Sequence, residues 1–187
     1  MKILTQLSVP IQLNETLVLR KVDTRDFKEI YRILSDPKVT KYLSIELPEN
    51  EEDIKKNIKF SIMDWNAAVG LSYSVFLNGT FIGLVNLYNI RWYYSRAEVG
   101  LFLDSRYWEK GYGSKILRKI IEYCFYTLGL HRLEAHIFPQ NEASIRLFEK
   151  FGFKREGICR DYAQNLDDQW QDCIQYSLLS EEYSYFG

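Results

Sequence analysis

The chain has 187 residues, 47% hydrophobic and 26% charged, a balance that excludes intrinsic disorder and fits one domain spanning 1–187. About 70% of the unfolded surface of a chain this long is buried on folding, so its core needs no disulfide or structural metal. Lys plus Arg number 24 and Asp plus Glu 25, a formal charge of -1, without the basic excess of a nucleic-acid binder.

Cys124, Cys159 and Cys173 are scattered, with no C-x-x-C pair, and the only histidines are His131 and His136. These five residues do not make a metal site, and a reducing cytoplasm is the simplest compartment. No apolar run reaches the ~20 residues of a membrane helix, and residues 1–10 lack the apolar core of a secretion signal. The 14 Tyr, 11 Phe and 4 Trp imply a bulky core, an aromatic pocket or a homodimer interface. The apolar tail Tyr183-Ser184-Tyr185-Phe186 is also unusual for a free, fully solvated end.

Residues 17–22 alternate apolar and polar and predict a strand. Asp23 and Asp26 then open a helix whose buried face is Phe27, Ile30, Tyr31 and Leu34, ended by Asp36-Pro37. A second helix starts near Asn50 with an acidic first turn and carries Ile54, Ile58, Ile62 and Trp65 on one stripe. Strands at 72–77 and 80–90 flank Asn78-Gly79, a strong hairpin signal because both residues tolerate positive φ. A strand at 96–103 follows, then a helix at 114–128 capped by Gly129. Residues 132–138 read as a strand ending at Pro139, and Asn141 caps a helix running through Phe151 to Gly152. Strands at 154–162 and 170–178 form a last hairpin around residues 165–168. The predicted order is β-α-α-β-β-β-α-β-α-β-β, an α/β fold with helices on both faces of a mixed sheet.

The segment LFLDSRYWEKGYGS, residues 101–114, is the informative one. A strand enters a loop holding Gly111-Tyr112-Gly113, and a helix starts at once. This points backbone N–H groups and the positive end of a helix dipole at one spot, a cradle for pyrophosphate. The chain has no Walker A run, and Ile116 stands where the Rossmann fingerprint needs a third Gly. The ligand is therefore neither a plain nucleoside triphosphate nor a dinucleotide.

W-E-K-G-Y-G-S at 108–114 resembles motif A of the GNAT superfamily of N-acetyltransferases, R/Q-x-x-G-x-G/A. R-A-E-V-G at 96–100 resembles the family's fourth strand. Asn141 to Phe153 resembles its motif B, N-x-x-S/A-x-x-L-Y/F-x-K/R-x-G-F. Glu156-Gly157, Arg160-Asp161 and Trp170-Gln171-Asp172 resemble its closing hairpin. The likeness spans about residues 17–183 and is strongest to the ribosomal-protein N-terminal and spermidine acetyltransferases. It implies a mostly antiparallel sheet splayed at the cofactor site. Acetyl-CoA is implied as co-substrate, held by Leu101, Phe102 and Leu103, by Trp108, Glu109, Lys110, Gly111, Tyr112, Gly113 and Ser114, and by Asn141 and Lys150. The acceptor it implies is a primary amine: a protein N-terminus, a polyamine or another small amine.

Two positions depart from the pattern. Trp108 stands where many members have Arg or Gln, although Trp is common there in the ribosomal-protein branch. Phe148 replaces a Tyr that acts as general acid, and a phenyl ring has no proton to give. Acetyl transfer from a thioester to an ammonium needs a base and needs no covalent enzyme intermediate, so the cysteines read as small buried hydrophobes. Glu98 is the candidate base, its pKa raised by apolar neighbours, unless it is a structural partner of Arg96. Gly100 marks a bulge that splays the strand for the pantetheine arm. Asn141 is a helix cap to which the likeness adds contact with that arm. Ser144 is a proton donor for the CoA sulfur or a solvated helix serine. Lys110 and Lys150 meet CoA phosphates or are plain surface lysines, and both histidines read as structural. Substrate choice falls to the two N-terminal helices, to Trp92, Tyr93, Tyr94 and Tyr162, whose rings suit a cation, and to Asp161, Asp167 and Asp168. The competing readings are a non-catalytic acyl-CoA-binding module, a polyamine acetyltransferase, and a structural protein that retains only the fold.

Overall fold

A computed structural model describes residues 10–43, 48–164 and 169–183. Eight strands form one sheet: β1 (Ile11–Gln12), β2 (Leu17–Lys21), β3 (Leu71–Leu77), β4 (Thr80–Arg91), β5 (Arg96–Leu103), β6 (Arg132–Ile137), β7 (Lys154–Gln164) and β8 (Trp170–Leu179). Their order across the sheet is β1-β2-β3-β4-β5-β6-β8-β7, with every pairing antiparallel except β5 with β6. The helices are α1 (Phe27–Leu34), α2 (Pro37–Thr40), α3 (Glu51–Asn66), α4 (Tyr112–Glu122), α5 (Glu142–Lys150) and α6 (Ser180–Tyr183).

Local chemistry accounts for the element ends. The Asn50 side chain accepts from the N–H groups of Glu52 and Asp53 and starts α3. Asp36 does more than stop α1. Its side chain accepts from Lys38 N–H and opens α2, with Pro37 in the first turn, where a missing N–H costs nothing. Asn78 and Gly79 take φ of 49° and 76°, as the hairpin requires. The helix predicted at 114–128 changes character after Glu122, continuing as a π turn over Tyr123–Thr127, and Gly129 follows at φ 67°. Strand β1 and helices α2 and α6 were not predicted; runs of two to four residues are too short to show a period. The 165–168 turn, with Asp167 and Asp168, lies outside the described residues, as do 1–9 and 184–187.

Two apolar clusters cover the two sheet faces. On one, Ile116, Leu117, Ile120 and Ile121 of α4 pack on alternate residues of the strands, including Leu19, Tyr73, Val85 and Val99. On the other, Ile30, Ile33 and Leu34 of α1 meet Ile54 and Ile58 of α3 over Phe81 and Leu84. Each such side chain contributes about 1.5–3 kcal/mol by leaving water. No helix among the described residues is long and apolar enough to cross a membrane.

The sheet parts where β5 meets β6. Only Arg96, Ala97 and Glu98 pair with β6, opposite Arg132, Leu133 and Glu134, and beyond them the strands separate. An ion-pair network fastens the paired end. Glu134, buried, binds Arg96 Nη1 at 3.2 Å and Arg132 Nε at 2.7 Å, and Arg132 also grips both oxygens of Glu156 on β7. The pairing of Arg96 with Glu98 is therefore not made; Glu134 takes that guanidinium. Nor does the bulge fall at Gly100. The β4–β5 ladder runs unbroken across Gly100, and the irregularity lies in β4 between Tyr88 and Arg91, with Asn89 at φ 51°. Gly100 has a steric reason: a Cβ there would lie 2.4 Å from Tyr88 Oη.

Candidate active site

A cavity of about 550 Å³ opens at the parting. Its walls include Ile30 and Leu34 of α1, and Asn57, Ser61 and Asp64 of α3. Tyr88 and Glu98 stand on the sheet, and Asn141, Ser144 and Phe148 come from α5 with its cap. Leu101, Phe102 and Tyr162 also line it. Leu103 is instead buried in the core, and residues 108–114 and Lys150 lie outside the cavity lining.

The start of the loop is held rigidly. Asp104 is 3% exposed, accepts from Arg106 N–H, and pairs with Arg106 at 2.6 Å and Arg32 of α1 at 2.7 Å. The hydrogen bonds from Arg106 hold its carboxyl well below the usual range. Trp108 Nε1–H donates to the Leu103 carbonyl at 2.8 Å, so this indole braces the loop in place of offering a phosphate donor. Lys110 Nζ donates to the Arg106 carbonyl at 2.7 Å. Lys150 reaches across from α5 to within 3.5 Å of Ser114 Oγ, beside the first turn of α4.

The two loop glycines differ. Gly111 takes φ 78°, a conformation glycine accepts without cost, while Glu109 is held at 57°. Gly113 has no such backbone demand, and a Cβ there would meet Leu147 Cδ2 at 3.5 Å and Leu103 Cδ1 at 4.0 Å, both ordinary contacts. The fold thus has room for a side chain at a helical position where glycine costs about 1 kcal/mol against alanine. The N–H groups of the first turn of α4 receive no side-chain cap, which fits an anion lying close to this backbone.

Glu98 sits at the edge of the parting, with 15% of its side chain exposed. Asn89, brought round by the β4 bulge, donates from Nδ2 to Glu98 Oε1 at 2.7 Å. His136 Nδ1 lies 3.3 Å from Oε2. The His136 contact, then Asn89, outweighs burial and lowers the Glu98 pKa, the reverse of the expected direction. His136 lines the cavity and stacks on Tyr162 with centroids 4.6 Å apart, so the structural role expected for it understates its place. The missed signal was alternation: Leu133, Ala135 and Ile137 enter the core, which turns His136 to the face that carries Glu98.

The remaining expectations divide. Asn141 does cap α5, accepting from Ser144 N–H at 3.1 Å. Phe148 is buried at 3% and packs edge-on against Phe153. Tyr93 and Tyr94 are 91% and 67% exposed and lie outside the cavity lining, as does Asp161. Trp92 bonds the Ala68 carbonyl, and Tyr162 alone of the four rings lines the cavity. His131 stays away from the cavity, with Nδ1 3.4 Å from Ser180 Oγ.

Residues 16–154 match the family model described as acetyltransferase (GNAT) domain. The chain belongs to the GNAT family. This GNAT N-acetyltransferase is 33% identical over 173 residues to an uncharacterized N-acetyltransferase, p20, of Bacillus licheniformis, covering 91% of this chain and 96% of that one. It is 24% identical over 172 residues to the spermidine N(1)-acetyltransferase of Vibrio cholerae, covering 91% and 97%. Its fold is shared with RimL, a ribosomal L7/L12 alpha-N-protein acetyltransferase solved in complex with coenzyme A. The TM-score is 0.83 at 19% identity, covering 91% of this GNAT chain and 98% of RimL.

Proposed function

We propose that this GNAT protein transfers an acetyl group from acetyl-CoA to a primary amine by direct attack in a ternary complex. The observation that carries the reading is the parting of β5 and β6, which opens on a cavity holding a carboxylate. Gly111, Gly113 and Ser114, with Lys150 beside them, would hold the pyrophosphate, and the backbone from Leu101 to Leu103, paired with β4 but open on its β6 side, would hold the pantetheine arm with Asn141. Bound acetyl-CoA supplies an acetyl thioester; the amine nitrogen gains the acetyl carbon as the carbon–sulfur bond breaks. Deprotonation falls to the Glu98 end of the cavity. Ser144, whose hydroxyl bonds no protein group among the described residues, faces the cavity as donor to the departing sulfur.

Charge narrows the acceptor. Asp64 and Glu98 are the carboxylates of the described lining, and no Lys or Arg is among its residues. Such a wall favours an ammonium and gives a free carboxylate no counter-ion. A protein N-terminus therefore suits it better than a free amino acid. Asp64, as a second carboxylate, favours a polyamine as the alternative acceptor.

CoA thiol release, followed over peptides of differing first residue, polyamines and free amino acids, tests this. Peptides or polyamines should turn over and free amino acids should not. Gly113→Asp, which sets a carboxylate at the cradle yet suits a helix N-terminus, should abolish both turnover and the rise in Tm with acetyl-CoA while the fold survives. Acetyl-CoA binding without thiol release from any amine would leave a binding module.

A further inference from the structure

We infer that His136 is the group that accepts the proton of the incoming ammonium, with Glu98 as the positioning residue that holds its imidazole. The inference rests on the acetyltransferase reading and concerns the same cavity. Both Glu98 oxygens are already engaged, Oε1 by Asn89 at 2.7 Å and Oε2 by His136 Nδ1 at 3.3 Å. His136 Nδ1 is sealed from solvent and Glu98 is the acceptor it faces; their angle is short of a full hydrogen bond. Contacts of this kind tighten in the substrate complex. A carboxylate facing Nδ1 fixes the neutral ring with its proton on Nδ1 and its lone pair on Nε2. Nε2 bonds no protein group among the described residues, on a ring that lines the cavity and is clamped flat against Tyr162.

The step is simple. The ammonium N–H bond breaks, its electron pair stays on nitrogen as the attacking lone pair, and the proton joins Nε2. The imidazolium, still donating Nδ1–H to Glu98, returns that proton to water after turnover. The free Nε2 lone pair therefore suits this transfer better than a carboxylate whose two oxygens are engaged and which is held below its ordinary range.

The other groups around the ring leave that logic intact. Burial, then the charge of Glu98, raises the phenols of Tyr88 on β4 and Tyr162 on β7, the latter to about 12, though both residues are 41% exposed. Both stay neutral at working pH. Gln175 on β8 stands opposite His136 and carries no charge. Arg96 on β5 and the Arg132–Glu134–Glu156 network occupy the fastened end of the seam.

The test separates the two groups by pH. The kcat profile of the wild type at saturating substrate should fall on the acid side, as the proton acceptor fills. His136→Gln should lower kcat by about 10²-fold and remove that limb. Glu98→Gln should keep the limb but move it to lower pH, and Glu98→Asp should restore part of the rate. NMR of the ring nitrogens, without any substrate, should show the Nδ1–H tautomer in the wild type and its loss in Glu98→Gln. If His136→Gln keeps kcat and its acid limb, or the ring carries its proton on Nε2, the assignment is overturned while thiol release by the wild type still stands.

Discussion

Gly100→Ala puts a methyl group where Tyr88 Oη now lies. The separation would be 2.4 Å to the oxygen and 3.3 Å to ring Cζ, so the hydroxyl alone is about 1 Å too close. Such overpacking costs about 1–3 kcal/mol, and removing a strand glycine returns roughly 0.5–1 kcal/mol. The net loss is about 0–2.5 kcal/mol, which for a chain of this size is a fall in Tm of at most about 10 °C. The rate should suffer more. Tyr88 is the register partner of Glu98 and shares its cavity, so swinging the ring aside by about 1 Å should lower kcat/KM roughly ten- to a hundredfold. Scanning calorimetry and thiol-release kinetics read the two effects. The decisive comparison is the double variant: Tyr88→Phe deletes the one atom in severe conflict, so Gly100→Ala in that background should match Tyr88→Phe alone in Tm and kcat/KM. Gly100→Ala behaving as wild type, or a double variant no better than Gly100→Ala, would refute the account.

Ser144→Ala should lower kcat about tenfold or more, with the deficit largest at low pH, and Phe148→Tyr in that background should restore part of it. Unchanged kcat in both would mean that the sulfur departs without a protein acid. In acid, Glu156 is expected to contribute to unfolding. Hydrogen bonds from Arg132, then Ser177, hold its pKa at about 2 against an ordinary 4.5. A depressed carboxylate stabilises the folded state above its unfolded pKa, so its share is lost as pH falls from 4.5 toward about 2. Tm measured stepwise across that interval should drop less steeply for Glu156→Gln than for wild type, with the variant less stable at pH 7; equal slopes would exclude the linkage. Because Glu156 is 39% exposed, the effect should be small.

What the sequence disclosed follows the range of the forces involved. Asn50, Asn78-Gly79 and Asn141 act through their own backbone within three residues, and each was readable in its own segment. The Gly-x-Gly loop is likewise a local device. Asn89 was not readable: its positive φ and its bond to Glu98 depend on an offset in β4 opposite β5, a tertiary property with no local sign. The pKa of Glu98 was misjudged for the same reason. Its apolar chain neighbours suggested a raised value, but residues from two other strands, Asn89 and His136, decide the direction. His136 itself lay within reach. Alternation in β6 and the parallel pairing of Glu98 with Glu134 together put it on the same face as Glu98, two residues further along.

The three-pair seam divides the sheet into two leaves of different origin. The first, β1 through β5, joins each strand to the one before it, so most of its contacts are local and should form early in folding. In the second, β6 pairs with β8 and not with the intervening β7, so its contacts span more of the chain. Within the sheet, among the described residues, the leaves meet only through Arg96–Glu98 and the network around Glu134, while the apolar cluster under α4 touches both. Amide exchange should therefore distinguish two cooperative units, and a molecule lodged in the parting, touching both, should slow the opening that separates them.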